Sequence, residues 1–484
     1  MANLASLLDH QAIRKPEHPA IIENGESVSY HDLAVRVRQW AGALENAGLK
    51  AGDVIAVGLT DSADHIVMNW AVARIGSVIL PVDHRWTDAE KANVIKGFGA
   101  KALISESGEG PPERTVWLND DFRAKAAAID PDRSFPEDDD LPVVLSLSSG
   151  TTGRPKGPAL SHRQMRARWL TQLVSLGFTE RDRYLSATPL YFGGGRSFTM
   201  SANWCGATVI MFPPPYEPEA LISAAGEHKA TTTLLVPTIL RRLLALKDED
   251  ALLFENLRLM LCTGSILHQE EREQVIRYLC PDFINYYGST EGGGVSILTS
   301  DHGLEAAGSV GQVVFGTNVE IVNSDHYPVD NGEVGLIRYK GDGVASGFYK
   351  DAEADREAYR DGWFYPGDLG RFDENGFLFL AGRSNDVIIR GGANIYPAEV
   401  EAVLLSHPDV EDAAVVGVPS KEMGEEIIAF VTGAADAGTL DAYVRDRIAS
   451  YKVPKAFVML EALPKSGLGK VQKEALKKNA ENFL

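Results

Sequence analysis

The stretch 141–157, LPVVLSLSSGTTGRPKG, limits the folds open to this chain more than any other. Its apolar, β-branched opening has the character of a buried strand. The strand runs into serine, threonine and glycine and ends on Lys156 and Gly157. Backbone amides bared by glycine, hydroxyl donors and a lysine are what a polyphosphate needs from a protein. The loop is not of the Walker type, which puts four residues between its glycines and then Lys and Ser/Thr directly. Here Thr151 and Thr152 alone separate Gly150 from Gly153, and Gly157 follows Lys156. A generic Gly/Ser/Thr loop is as readily a flexible surface turn; the order S-S-G-T-T-G-x-P-K-G is far more specific.

The flanking sequence alternates helix and strand. Ser29–Lys50 places Leu33, Val37, Trp40 and Leu44 at helical spacing, with Ser29 or Tyr30 near the N-cap and Gly48 near the end. Asp53–Leu59 is a short apolar strand, Asp64–Gly76 a helix stopping at glycine, and SVILPVD another strand. Such alternation implies a largely parallel sheet with helices on its faces. The acidic PEDDDLPVV run is a solvated link. SHRQMRARWLTQLVSLGF is a helix, which makes His162 a helix-start or surface residue. NLRLMLCTGSI is a strand running into a glycine-containing loop, where a ligand of a parallel sheet sits.

At 484 residues the chain holds two or more domains. Its formal charge is 47 − 67 = −20. That makes it a poor partner for nucleic acid or anionic membrane, so a phosphate ligand must be held by local positive groups. Cys205, Cys262 and Cys280 form no CxxC or Cys/His cluster and are expected as reduced buried thiols. MANLASLLDHQAIRKPEHPA has no basic-then-apolar leader pattern, and no apolar run approaches a membrane span. A cytoplasmic protein is expected.

SSGTTGRPKG resembles the phosphate-loop signature of the adenylate-forming superfamily: acyl-CoA and aryl-CoA synthetases, peptide-synthetase adenylation domains and luciferases. Three further motifs agree in order. INYYGSTEGGG (284–294) resembles the family's Y-G-x-T-E element. GRSNDVIIRGGANIYPAEVE (382–401) resembles the segment joining a large N-terminal domain to a small C-terminal one. LPKSGLGKVQKEAL (463–476) resembles P-K-T-x-x-G-K, with Ser466 for the usual Thr. The fold implied is α/β: a large N-terminal domain of α/β subdomains over 1–384, carrying the phosphate loop, and a small mobile α+β domain over 385–484.

The resemblance also implies roles. Ser148, Ser149, Gly150, Thr151, Thr152, Gly153 and Lys156 would hold ATP phosphates. Gly264, Ser265 and Ile266 would lie along adenine, with Tyr286, Tyr287, Gly288 and Ser289 also assigned to the nucleotide. Tyr287 offers a stacking face, Thr290 a hydroxyl for a phosphate oxygen, and Glu291 a hard oxygen for Mg2+. Asp368 can accept two hydroxyl hydrogen bonds from a ribose diol, and Arg383 would reach the same ribose or the phosphates. Asn385 takes the hinge position usually held by Asp or Lys; asparagine tolerates turn dihedrals. Gly391 and Gly392 match the loop lining the pantetheine tunnel for coenzyme A.

The acid pocket falls to Phe192, Gly193, Gly194, Arg196, Gly293 and Val295. A buried arginine there pairs with a second carboxylate on the substrate; more often such an arginine is a surface or interdomain charge. The activity implied is that of an AMP-forming carboxylic acid–CoA ligase, with an aromatic or medium-size acid favoured. The alternatives are an adenylating enzyme that loads a carrier-protein phosphopantetheine and a non-catalytic nucleotide-binding regulator. The partners expected are a small-molecule carboxylic acid, ATP and coenzyme A, without nucleic acid or membrane; a homodimer is left open. Lys470 holds the position of the catalytic lysine, so Lys470→Ala is expected to slow adenylation by at least roughly a hundredfold, the scale of one lost preorganised donor. Adenylation rates within a few-fold of wild type would overturn that assignment.

Overall fold

Short apolar runs build the frame. Val54–Gly58, Val78–Pro81 and Ala102–Ser105 are buried at every position, as strands covered on both faces must be. They pair in parallel. Thr115–Trp117 extends that sheet at one edge, and Pro142–Leu145 and Ala159–Ser161 at the other, the last strand running antiparallel. The structure, a computed structural model, describes residues 3–106, 115–130, 134–147, 157–248, 251–265, 267–391, 393–420, 422–465 and 471–480. They fall into two units. One comprises Met1–Ala307, Gly311–Asn318 and Tyr339–Phe364; the other comprises Gly308–Val310, Val319–Arg338 and Tyr365–Leu484.

The first unit holds a second, nine-stranded sheet. Its centre is parallel: Pro19–Glu23, Thr208–Met211, Arg183–Ser186, Thr232–Leu235, Leu259–Cys262 and Phe283–Ser289 lie side by side. Antiparallel strands close both edges, with Gly293–Thr299 returning beside Phe283–Ser289. The helix Ala63–Arg74 touches strands of both sheets. It is buried at every position but Asp64, the pattern of a helix with no solvent face. Its Trp70 meets Trp169 of the helix His162–Ser175 at 5.8 Å between ring centroids, and Trp169 meets Trp204 of the helix Gly193–Cys205 at 5.7 Å.

Local signals act as the sequence implies, with corrections. Ser29 caps the helix Tyr30–Asn46 by accepting from the Asp32 amide. Ser161 and Gln164 form a capping box at the start of His162–Ser175. His162 does open that helix, but it is fully buried rather than on the surface. Its Nδ1 accepts from the Leu4 amide at 3.1 Å, and burial holds its pKa down at about 4. The acidic link is not simply solvated: Asp139 pairs with Arg166 at 2.6 Å and Asp140 with Arg163 at 2.7 Å. Cys262 and Cys280 are buried free thiols and Cys205 a partly buried one.

The second unit is antiparallel and mixed. The hairpin Asp368–Phe372 and Leu378–Arg383 turns at Asp373, whose Oδ1 accepts from the amides of Asn375 and Phe377. Val410–Ser420 and Gly424–Gly433 form a long antiparallel pair, with Ala456–Met459 parallel beside the second. Alternation divides the first strand between two cores. Ala413 and Val415 pack with Val400, Leu404, Leu440 and Val444 of two helices. Ala414, Val416 and Val418 pack with Leu476 and Ala480 of the helix Lys473–Ala480.

At the amino end of the large parallel sheet, Asp182 is 2% exposed. It accepts from the Thr179 amide at 2.7 Å, from Thr231 Oγ1 at 2.8 Å and from Arg258 Nε and an Arg258 terminal nitrogen at 2.8 and 2.5 Å. Removing this buried acceptor breaks four hydrogen bonds at once, two of them to the Arg258 guanidinium. Asp182→Ala is therefore expected to lower unfolding free energy by about 2–3 kcal/mol, read from the urea midpoint. The KM for ATP should be unaltered, because the residue lies at the opposite end of the strands from the candidate site.

Candidate active site

Parallel strands aim their carboxyl ends at one rim, and ligands of such sheets bind there. In the first unit, most of the described candidates lie on that rim. Strand Leu259–Cys262 leads into Thr263, Gly264 and Ser265, and strand Phe283–Ser289 contains Tyr286, Tyr287, Gly288 and Ser289 and leads into Thr290 and Glu291. Thr263 Oγ1 donates to the Tyr286 carbonyl at 2.7 Å, tying the two strand ends together. Strand Arg183–Ser186 leads through Thr188 and Pro189 to Phe192, which caps the helix Gly193–Cys205. Thr188 Oγ1 donates to the Leu234 carbonyl at 2.9 Å, joining this segment to the next strand.

Thr290 and Glu291 are held through their backbone. Arg168, on the helix His162–Ser175, donates to the Thr290 carbonyl at 3.1 Å, to the Glu291 carbonyl at 2.6 Å and to the Gly343 carbonyl at 2.7 Å. Ala345 donates its amide to the Glu291 carbonyl at 2.8 Å. Ser289 Oγ lies 2.6 Å from the Tyr339 hydroxyl and accepts from the Gly292 amide at 2.9 Å. The clamp uses carbonyls, so the Thr290 hydroxyl and Glu291 carboxylate are left for other partners. Among the described residues, Glu291 has no ion pair. A partly buried carboxylate of this kind, with a hydroxyl beside it, fits a hard cation such as Mg2+.

The segment 343–349 extends this clamp. Gln164 Nε2 donates to the Val344 carbonyl at 2.9 Å, Ala159 donates its amide to the Gly347 carbonyl at 3.3 Å, and Tyr349 donates its amide to the Gly157 carbonyl at 2.9 Å. One strap thus joins the Glu291 backbone to Gly157, the last residue of the phosphate motif. Neither Arg168 nor this strap was expected from the sequence. A signal existed for the arginine: Met165, Arg168 and Gln172 share one helical face, and Met165 and Gln172 are buried.

Arg196 is not a surface or interdomain charge. It is 5% exposed, in the first turns of its helix. One terminal nitrogen donates to the Leu190 and Tyr191 carbonyls, both at 3.2 Å, and the other lies 3.5 Å from Ser146 Oγ. Burial pulls its pKa down to about 10. Gly193, Gly194 and Gly195 form the first turn of this helix. A Cβ on Gly195 would lie 2.3 Å from the Pro189 carbonyl oxygen, so that position has room for glycine only. Gly193 faces open space. Phe192 stacks against Tyr191 at 4.1 Å between centroids, and Tyr191 accepts from Arg85 at 3.0 Å. Gly293 packs under Arg168, while Val295 is fully buried in the returning strand.

In the second unit, Asp368 and Arg383 face each other in register across the hairpin, and Arg383 Nε lies 3.0 Å from Asp368 Oδ1. Asn385 is the middle residue of the 3-10 turn Ser384–Asp386. Gly391 has φ +59°, a left-handed conformation that favours glycine, and a Cβ there would lie 2.9 Å from Met423 Cε. Ser148, Ser149, Gly150, Thr151, Thr152, Gly153, Lys156, Ile266, Gly392 and Lys470 lie outside the described residues. Their flanks are ordered by pairing. Ser146 donates its amide to the Pro158 carbonyl at 3.2 Å. Lys465 and Val471 form an antiparallel bridge, and Lys465 and Lys473 pair with Asp412 and Glu401 at 2.6 and 2.7 Å.

Comparison with known proteins agrees with this arrangement. Residues 8–349 match the model of the AMP-binding enzyme family, and residues 399–470 match the AMP-binding enzyme C-terminal domain. The chain is 32% identical to the 2-succinylbenzoate–CoA ligase of Bacillus licheniformis, over 97% of this chain and 100% of that one. It is 32% identical to a feruloyl-CoA synthase of an Amycolatopsis species, over 96% of each. ATP-bound MatB from Rhodopseudomonas palustris superposes with a TM-score of 0.91 at 26% identity, covering 100% of this chain and 99% of that one. The o-succinylbenzoate CoA synthetase of Bacillus subtilis, solved with an acyl-adenylate intermediate, gives 0.87 at 27% identity and 98% coverage of both. With a rim that presents Thr290 and Glu291 from clamped backbone and a family match over most of its length, the chain belongs to the AMP-binding enzyme family.

Proposed function

We propose that this enzyme is an AMP-forming carboxylic acid–CoA ligase. The observation that carries the reading is the Thr290–Glu291 pair on the carboxyl rim of a parallel sheet, fixed by its carbonyls, with no side-chain ion pair among the described residues. In the first half-reaction the substrate carboxylate attacks the α-phosphate of ATP and pyrophosphate leaves, giving an acyl-adenylate. Such chemistry depends on positioning and charge stabilisation more than on a protein nucleophile. Thr151, Thr152 and Lys156 hold the β- and γ-phosphates, and Thr290 donates to a phosphate oxygen. Glu291 would hold Mg2+, which supplies charge neutralisation at the phosphates when bound. Adenine lies along Gly264, Ser265 and Ile266 beside Tyr287, and Asp368 with Arg383 takes the ribose. Lys470 bridges carboxylate and α-phosphate.

In the second half-reaction the thiol of coenzyme A attacks the adenylate carbonyl and AMP leaves. Residues 385–484 act as the mobile part, pivoting near Asn385, and Gly391 and Gly392 line the path of the pantetheine. The acid itself, an aromatic or medium-size one, lies against Phe192, Gly193, Gly194, Gly293 and Val295. The relatives' acids, succinylbenzoate and ferulate by name, are of that size. Among the described residues no helix is long and apolar enough to cross a membrane, which is compatible with water-borne substrates.

The test is pyrophosphate release with magnesium-ATP on a panel of aliphatic, aromatic and dicarboxylic acids, each with and without coenzyme A. Release accompanied by a CoA thioester is the expected result. Adenylate without thioester would point to a carrier-protein acceptor, and ATP binding without release on any acid would point to a regulator. Gly391→Leu is expected to slow thioester formation at least roughly tenfold more than adenylation, since a side chain there strains the backbone and crowds Met423. Equal losses in the two half-reactions would remove Gly391 from the thiol path.

A further inference from the structure

A buried guanidinium without a counter-ion is an unfinished electrostatic arrangement. Arg196 is 5% exposed, and its acceptors are two carbonyls and, at 3.5 Å, a serine hydroxyl. Among the described residues no carboxylate pairs with it. Arg74, 2% exposed, pairs with Asp9 at 3.0 Å, whereas Arg272, 4% exposed, donates like Arg196 to a backbone carbonyl, that of Thr299. Isolated buried charge is costly and is normally paired. The guanidinium carries five N–H donors in a planar fork suited to a carboxylate or phosphate, and the neutral acceptors do not discharge it.

Its surroundings add to the positive field. Arg196 bonds to carbonyls that precede its own helix, so its head lies at the helix N-terminus. That helix runs for 13 residues and has no side-chain cap. Its first turn is Gly193, Gly194 and Gly195, with open space in front of Gly193. Uncapped N–H groups at a helix start attract anions. A locally positive spot in a chain of net charge −20 is the more pointed for its setting. It lies on the segment Leu190–Gly194, which borders the acid in the proposed ligase.

We infer that Arg196 receives an oxyanion of the bound acid, a second carboxylate beyond the one that reacts, so that the preferred substrates are dicarboxylic acids. This rests on the ligase reading and narrows its substrate class. A nucleotide phosphate offers the same oxyanion chemistry, because Ser146 stands close to the phosphate motif, and the experiment separates the two sources.

Wild type, Arg196→Gln and Arg196→Lys are assayed for pyrophosphate release with magnesium-ATP and coenzyme A. Aliphatic and aromatic dicarboxylic acids are compared with their half-amides, which keep shape and lose one charge. Wild type is expected to favour a dicarboxylic acid over its half-amide by roughly a hundredfold in kcat/KM, the scale of a buried charge pair. Arg196→Gln should bring that ratio within a few-fold of one through loss of dicarboxylate turnover, Arg196→Lys should retain part of it, and the KM for ATP should stay within twofold throughout. A wild-type ratio near one overturns the proposal even if the Gln variant fails to fold, and so does a ratio that survives Arg196→Gln. A raised KM for ATP with every acid overturns it in favour of a phosphate ligand. No release from wild type with any acid would instead sink the ligase reading.

Discussion

Three backbone carbonyls converge on Arg168, and the geometry of the rim depends on that convergence. A carbonyl at the end of a strand has no ladder partner and must find a donor if it is shielded from water. Arg168 meets this need at Thr290, Glu291 and Gly343 together. A planar fork fixes the three acceptors relative to one another in a way that a flexible ammonium could not. Because the helix bearing Arg168 begins at the strand that leaves the phosphate motif, the same side chain relates both ends of the nucleotide reading. The strap over 343–349 repeats the connection through main-chain bonds.

The second unit solves a related problem by different means. Its long strand Val410–Ser420 is apolar on both faces, and helices cover each. The Lys473–Ala480 helix lies on one of those faces. Lys465 and Lys473, both within the lysine motif, pair with Asp412 and Glu401.

The architecture was legible in the sequence because periodicity carries it. Leu33, Val37, Trp40 and Leu44 form the buried face of their helix, and VIAVG, VILP and PVVL became strands as apolar runs of that length should. NLRLMLCTGSI was read as a strand running into a glycine-containing loop, and Leu259–Cys262 does end on the rim. Long-range polar contacts were not legible. Arg168 looked like one basic residue among several in RQMRARW, and its role exists only because residues more than a hundred positions away present carbonyls to it. Arg196 was judged by the habits of arginine, mostly exposed, against a fold that buried it. The GGG run was assigned to the acid pocket; that it opens a helix, with Gly195 letting that helix approach the Pro189 carbonyl, was not legible.

That last contact has an evolutionary consequence. At Gly195 the helix Gly193–Cys205 meets the Pro189 carbonyl main chain against main chain, and Arg196 ties the helix start to the Leu190 and Tyr191 carbonyls. Phe192, Gly193 and Gly194 can therefore vary without moving the scaffold that displays them. A lineage can exchange one acid for another by drift at these positions while the nucleotide chemistry, secured by different residues, is inherited unchanged. Gly195 is the position at which such drift must stop.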